Sequence, residues 1–157
     1  MSNFPLETVA TGLLALCLLI AAGTDLKART IPNPLVVVIA LSAPVWWWIN
    51  GLSLWPDVAW QLGVALTLMI FFTGLFAIGQ IGGGDVKLIG ALALWFPPIP
   101  MVQLLVVMSI LGGALTLVML ILHKLRKKDG LPVTPYGVAI AVAGLWALYQ
   151  RNLNHFA

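Results

Sequence analysis

The sequence predicts an all-α integral membrane protein with about six transmembrane helices. Its 157 residues are 61% hydrophobic and only 8% charged, and the mean hydropathy is +1.05. A soluble domain is typically about 45–50% apolar and about 25% charged. A soluble chain of this length could not bury so much apolar surface, because small domains expose a large share of their residues. Apolar runs of spanning length and a one-sided distribution of basic residues support the same prediction.

Six apolar segments are candidates for the spans, since a crossing helix needs roughly 20 mainly apolar residues. The fourth segment is short, and three prolines break the chain between it and the fifth. We expect one polytopic membrane domain over residues 1–157, without a second domain. The predicted spans are approximately 7–25, 34–50, 57–79, 85–97, 101–123 and 134–151.

The basic residues predict the orientation of this domain. With six crossings, seven of the eight Lys and Arg residues fall on one side, and only Arg151 falls on the other. The positive-inside rule makes the first side cytoplasmic and places both termini outside. Trp46, Trp47 and Trp48 then lie near the outer end of the second span, where tryptophan is expected to anchor a helix at the headgroups. The seven are Lys27, Arg29, Lys87, Lys124, Arg126, Lys127 and Lys128.

Two of the five acidic residues are candidates for chemistry. Asp25 and Asp85 each lie at the predicted cytoplasmic edge of an apolar span, where a charge is costly unless it is solvated or paired. Two facing carboxylates can share a proton, so that one activates water and the other polarises a carbonyl. This chemistry hydrolyses a peptide bond without a metal or other cofactor. Glu7 and Asp57 fall in or beside outer loops.

The residues around each aspartate have both a functional and a structural interpretation. Gly82, Gly83 and Gly84 remove side-chain bulk and permit unusual backbone angles, so a substrate strand could approach Asp85 closely. Alternatively, the glycines form a tight turn and Asp85 caps the fourth helix.

The segment after Asp25 also has two interpretations. Lys27 and Arg29 are expected to reach the lipid headgroups, or else to orient a substrate or tune Asp25. Asn33 is a plausible N-cap of the second helix, and Pro34 a plausible first residue.

Three sequence elements resemble the prepilin peptidase (type IV leader peptidase) family. Gly82-Gly83-Gly84-Asp85 fits the GxGD signature of intramembrane aspartyl proteases, and Lys87 extends it as in prepilin peptidases. Asp25 followed by Arg29-x-Ile31-Pro32-Asn33 is similar to the first catalytic segment, and Pro135-Tyr136-Gly137 to the late Pro-[Tyr/Phe]-Gly element. These elements occur in order between about residues 20 and 145, so the resemblance covers most of the chain.

The resemblance implies a fold, an activity and a partner. The fold is the GxGD intramembrane aspartyl protease architecture, with Asp25 and Asp85 as the catalytic pair. Gly82, Gly83, Gly84, Lys87 and Arg29 are expected to bind substrate or shape the loop. The substrate is a type IV prepilin-like precursor, whose basic leader is removed on the cytoplasmic face of the bacterial inner membrane, just before the pilin's hydrophobic helix. Neither a metal nor a nucleic-acid partner is expected.

One difference from the larger family members indicates which form of the family this chain resembles. Those members carry an N-terminal methyltransferase portion with paired cysteines, whereas this chain begins almost directly with the first span and has one cysteine, Cys17. The chain therefore resembles the compact form associated with Tad-type (tight adherence) pili, and we do not expect it to methylate its product.

Two other functional classes fit parts of the pattern. Intramembrane aspartates can mark an ion route, and glycine-broken helices can build transport sites, so a small ion-coupled transporter is an alternative. Transport would favour an acidic site at the membrane midplane. An inactive assembly factor of a pilus or secretion system is the third class, although retention of both aspartates argues against it.

The helix ends predict which aspartate carries the shared proton. Asp25 lies near the C-terminal end of its helix, where negative charge is disfavoured, and Asp85 lies at an N-terminal end, where it is favoured. The sequence thus predicts the proton mainly on Asp25.

Overall fold

Six helices make up the part of the chain that the structure describes. The computed structural model describes the backbone of residues 4–125 and 134–156 and the side chains of residues 6–125 and 134–152. No strand occurs in these ranges, so the all-α fold is confirmed. The helices are α1 (Phe4–Ala28), α2 (Asn33–Ile49), α3 (Ala59–Ala77), α4 (Gly83–Ala93), α5 (Pro98–Leu125) and α6 (Tyr136–Phe156). An irregular helical turn, Leu54–Val58, precedes α3. Most of the basic loop predicted after the fifth span, residues 126–133, lies outside the described residues.

Three segments are long and apolar enough to cross a membrane. They cover Leu6–Ala28, Leu54–Ala77 and Pro98–Leu125, and α2 is a shorter apolar helix. Large apolar side chains such as Leu41, Ile70 and Ile110 are exposed on the outside of the bundle. A water-soluble protein would not leave this much apolar surface uncovered. The chain is therefore a membrane protein, with lipid as the solvent for these faces.

The short fourth segment is a buried half-length helix. The 11 residues of α4 rise only about 16 Å, because an α-helix rises 1.5 Å per residue. A bilayer core is about 30 Å thick, so α4 alone does not cross it. From Val86 to Ala93 every residue except Lys87 is buried, and α2, α3, α5 and α6 all contact this helix. The bundle is built around α4, and the surrounding helices shield the ends of α4 from lipid.

The turn between α4 and α5 is held by indole hydrogen bonds. Trp95 is fully buried and donates its Nε1–H to the carbonyl oxygen of Ile39 at 2.8 Å. Trp47 donates its Nε1–H to the carbonyl oxygen of Leu94 at 2.7 Å. Non-helical backbone at membrane depth is tolerated only where protein groups satisfy it. The Trp47 indole supplies that partner for the Leu94 carbonyl, and the Trp95 indole ties the turn to Ile39 inside α2.

We expect Trp95→Phe to destabilise the protein, because it leaves the Ile39 carbonyl without this donor and opens space in the core. The Ile39 carbonyl keeps the Ser42 hydroxyl as a donor at 3.0 Å, so the lost hydrogen bond costs about 0.5–1.5 kcal/mol. Trp48→Phe is the matched control, since Trp48 is 78% exposed. The midpoint of thermal unfolding in detergent should fall clearly for the first variant and stay near wild type for the second. Equal midpoints for the two variants would contradict this role of the indoles in the turn.

Candidate active site

A cavity of about 270 Å³ opens where four helix ends meet. It lies between the last turn of α1, the segment leading into α2 and the first turn of α4, and α6 begins directly against it. Every site residue predicted from the sequence lines this cavity. The lining residues are Asp25, Arg29, Thr30, Ile31, Asn33, Gly82, Gly83, Gly84, Asp85 and Lys87.

Asp25 is held by the first turn of α6. Its side chain is buried, with 5% of its surface exposed, and Oδ2 accepts a hydrogen bond from the Val138 amide at 3.2 Å. The Gly137 amide also hydrogen-bonds to this carboxylate, and the Arg29 guanidinium contributes an attractive charge. A helix N-terminus presents free amides and a partial positive charge. The start of α6 is therefore a binding site for the negative charge of Asp25.

Gly137 allows α6 to begin this close to Asp25. A Cβ atom at residue 137 would lie 2.9 Å from both Cγ and Oδ2 of Asp25, and 2.9 Å from Cδ1 of Ile31. Real Cβ atoms essentially never approach other heavy atoms this closely. The sequence pointed to Gly137 through the late family-like element, but gave no indication that it contacts Asp25. A side chain at this position would have to displace the Asp25 carboxylate and the end of the Ile31 side chain.

Asp85 occupies the first turn of α4 and bonds back to its start. Gly82 is the N-cap of α4, so Asp85 is the third residue of the helix. Its buried carboxylate hydrogen-bonds to the Gly82 amide and is repelled by the charge of Asp25. A side chain that reaches back to the N-cap amide is one half of a capping box. Asp85 thus stabilises the helix start from its third position, not as the N-cap that the sequence predicted. The close approach of a substrate strand to Asp85 stays a prediction.

The three glycines serve close packing, not unusual backbone angles. Gly82 has φ −73° and ψ 143°, an extended conformation open to any residue, so the prediction of special angles is wrong at this position. A Cβ at Gly82 would lie 2.9 Å from Asp85 Oδ2, and one at Gly84 would lie 3.3 Å from Ile31 Cβ. The absence of a side chain at these glycines, which the sequence also predicted, is what permits the close packing. It lets Asp85 bend back and lets Ile31 pack against α4.

Two basic residues complete the lining of the cavity. Lys87 donates a hydrogen bond from Nζ to Oδ1 of Asn33 at 3.1 Å, which joins the start of α4 to the start of α2. The position of Asn33 as N-cap was predicted one residue too late, because Pro32 is the N-cap and Asn33 begins the helix. Arg29 lines the cavity with a left-handed backbone, φ 55°, whereas Lys27 is exposed outside it. Of the two interpretations of the segment after Asp25, the position of Arg29 fits the one in which it orients a substrate or tunes Asp25.

The site can therefore perform acid–base chemistry with two carboxylates in one small cavity. Asp25 and Asp85 interact electrostatically, and both are buried. Two buried carboxylates close together cannot both ionise without cost, so they tend to share a proton. Such a pair offers a general base and a general acid side by side.

The comparison with protein families gives an independent result. A model of the type IV leader peptidase family matches residues 12–118 of the chain. The matched region contains both aspartates and the glycines before Asp85, whereas the α6 residues that bind Asp25 lie beyond it. No curated protein and no solved structure gave a significant match.

We expect Gly137→Ala to lower the stability of the protein, since its methyl group would collide with the Asp25 carboxylate. Gly113→Ala in α5 is the matched control, because nothing lies within 4 Å of a Cβ there. Replacing glycine by alanine inside a helix stabilises by about 1 kcal/mol when space allows. The unfolding midpoint should fall for the first variant and hold or rise for the second. A rise in both would show that α6 does not contact Asp25 this closely.

Proposed function

This chain belongs to the type IV leader peptidase family, and we propose that it is an aspartyl endopeptidase in which Asp25 and Asp85 are the catalytic residues. The observation that carries the proposal is the single cavity in which both buried carboxylates meet. The two residues come from segments 60 positions apart, and the packing of both α1 and α4 against α2 and α6 brings them together. Burying two carboxylates costs desolvation free energy, and a catalytic or binding role would explain why the fold retains them there.

The hydrogen bonds favour a different proposed role for each carboxylate. Asp25 has two α6 amides and the charge of Arg29 as partners, whereas Asp85 has the single Gly82 amide. Hydrogen bonds and positive charge favour the ionised form of a carboxyl group. Asp25 is then the general base that activates water. Asp85 carries the shared proton, polarises the scissile carbonyl and later protonates the leaving amine.

This assignment reverses the one made from the sequence. The C-terminal end of α1 disfavours negative charge on Asp25, but the N-terminal end of α6 faces the same carboxylate and offsets it. The contact between α1 and α6 was not visible in the linear sequence.

Selective ¹³C labelling of aspartate carboxyls tests this assignment in a chain with only four aspartates. As the pH is lowered, we expect the Asp85 carboxyl signal to take the chemical shift of the protonated form at a higher pH than the Asp25 signal does. Asp→Asn variants assign the four signals. A protonated Asp25 beside an ionised Asp85 would overturn these two roles.

The proposed substrate is a type IV prepilin-like precursor, cut between its basic leader and its hydrophobic helix. The substrate helix would lie in lipid against the exposed apolar faces of the bundle, with the scissile bond in the cavity at the bundle end. Lys87, Arg29 and the three glycines surround that position. The compact, Tad-type form and the absence of product methylation remain part of this proposal.

The orientation in the membrane is also proposed. Lys27, Arg29 and Lys87 lie at the same end of the bundle as the cavity, and Arg151 lies at the opposite end of α6. The positive-inside rule places the cavity on the cytoplasmic side of a bacterial inner membrane, with both termini outside.

The distribution of acidic side chains favours a peptidase over a transporter. Among the described residues, Asp25 and Asp85 lie at one end of the bundle, while Glu7 and Asp57 lie at the other. A transport site would place an acidic group near the midplane.

Cleavage of a co-expressed prepilin tests the catalytic pair. Asp25→Asn and Asp85→Asn keep the shape of the side chain and remove the titratable carboxyl group. Each should lower the rate of leader removal by at least about 100-fold, the usual contribution of general acid–base catalysis. Asp57→Asn is the matched control, because Asp57 is exposed at the opposite end and bonds to Ser53.

The outcome that would contradict the proposal is leader removal by both variants at the wild-type rate. Membrane insertion of each variant, followed by the amount of protein in the membrane fraction, separates loss of chemistry from loss of folding. Normal insertion of an inactive variant supports a catalytic role.

A further inference from the structure

Two further cavities lie at the end of the bundle opposite to Asp25 and Asp85. One has a volume of about 450 Å³ and includes Arg151, and the other has a volume of about 610 Å³ and includes Gln61. Trp46, Asn50 and Leu52 line both, so the two form one continuous depression, the distal basin. Arg151 lies about 20 Å along α6 from Val138, at 1.5 Å per residue. The basin is thus separate from the proposed active site.

Arg151 lines the distal basin and has hydrogen-bond donors without a partner among the described residues. Its guanidinium carbon lies 4.6 Å from the centre of the Trp46 ring and 5.9 Å from that of Phe96. Both terminal nitrogens, Nη1 and Nη2, are buried and have no hydrogen-bond partner in the described part of the chain. Glu7 on α1 attracts this guanidinium electrostatically, but leaves those two nitrogens without a bond. A buried donor without a partner costs free energy.

Two further side chains have unpaired polar atoms beside the same basin. Gln61 is 2% exposed, and neither Oε1 nor Nε2 has a partner among the described residues; the same holds for Nε1 of Trp46. In the first cavity, Arg151 and Trp46 present three unpaired nitrogen donors, whereas Gln61 lines only the second cavity. Buried polar groups are normally satisfied. The excess of donors indicates a ligand that carries several acceptor oxygens.

We propose that the distal basin binds a phosphate group, and that its source is the headgroup of an anionic phospholipid. A guanidinium presents paired N–H donors that match the oxygens of a phosphate. Trp48, Trp55 and Trp60 are exposed at this end of the bundle, and exposed tryptophans mark the depth of the lipid headgroups. A phosphodiester at that depth can bind Arg151 while its acyl chains cover the apolar walls.

Of the acidic residues near the basin, Glu7 attracts the Arg151 guanidinium but lines neither cavity. Asp57 lines only the second cavity, and its Oδ2 accepts hydrogen bonds from the amide and hydroxyl of Ser53, at 3.1 Å and 2.8 Å. The first cavity contains no acidic side chain among its lining residues. The phosphate therefore lies in the first cavity, beside Arg151.

The test is thermal unfolding of the purified full chain in an uncharged detergent. Short-chain phosphatidylglycerol should raise the unfolding midpoint with increasing concentration, because a ligand that binds only the folded state stabilises it. Diacylglycerol with the same chains lacks the phosphate and should give no such rise. Arg151→Gln should lose at least about 10-fold in apparent lipid affinity, which corresponds to roughly 1.4 kcal/mol. Lys124→Gln, at the other end of the bundle, is the matched control and should respond as wild type does.

Three outcomes would contradict the proposal. Equal stabilisation by phosphatidylglycerol and diacylglycerol, or an equal response of wild type and Arg151→Gln, would overturn it. A rise with inorganic phosphate alone, with none from the lipid, would assign the site to a soluble phosphate and overturn the lipid source. If Arg151→Gln does not fold, Arg151→Lys keeps the charge and removes the paired donors. Wild-type lipid affinity in that variant would refute recognition by the guanidinium.

Discussion

The hydrogen bond from the first turn of α6 to Asp25 is the interaction on which the rest of this end of the bundle depends. It joins the first helix to the last across 113 residues of sequence. Because Asp25 is buried, the α6 amides compensate a charge that would otherwise be costly inside a membrane protein. The same contact places Gly137 against Ile31, and Ile31 in turn packs on Gly84. One polar contact thereby aligns α1, α4 and α6, the three helices that define the cavity.

The half-length α4 explains how a polar cavity exists beside lipid. A helix that crossed the bilayer alone would expose much of its surface to acyl chains. By contrast, α4 is enclosed by four other helices, and its far end is sealed by the indoles of Trp47 and Trp95. Lipid contacts fall to α1, α2, α3 and α5, whose outward faces are apolar. The bundle thus separates the helix that holds Asp85 from the helices that face the membrane.

Much of this arrangement was accessible from the sequence, for local reasons. Apolar runs identify helices in lipid wherever they occur, so the six segments were found within a few residues of their observed bounds, and the predicted site residues all line the cavity. Contacts between distant segments were not predictable in this way. The binding of Asp25 by Val138 and the bond between Asn33 and Lys87 depend on packing. The prediction that three tryptophans anchor α2 at the headgroups missed their packing for the same reason. Only Trp48 is exposed, while Trp46 and Trp47 face the protein.

The long separation between Asp25 and Val138 has a consequence for biosynthesis. A ribosome adds about 5–20 residues per second, so on the order of ten seconds pass between synthesis of the carboxylate and synthesis of its amide partners. During that interval α1 to α5 are synthesised and can enter the membrane together, but the Asp25 charge has no helix N-terminus to compensate it. The cavity is complete only when the last helix has inserted. A nascent or truncated chain that lacks α6 therefore has both aspartates and still lacks the group that orders them.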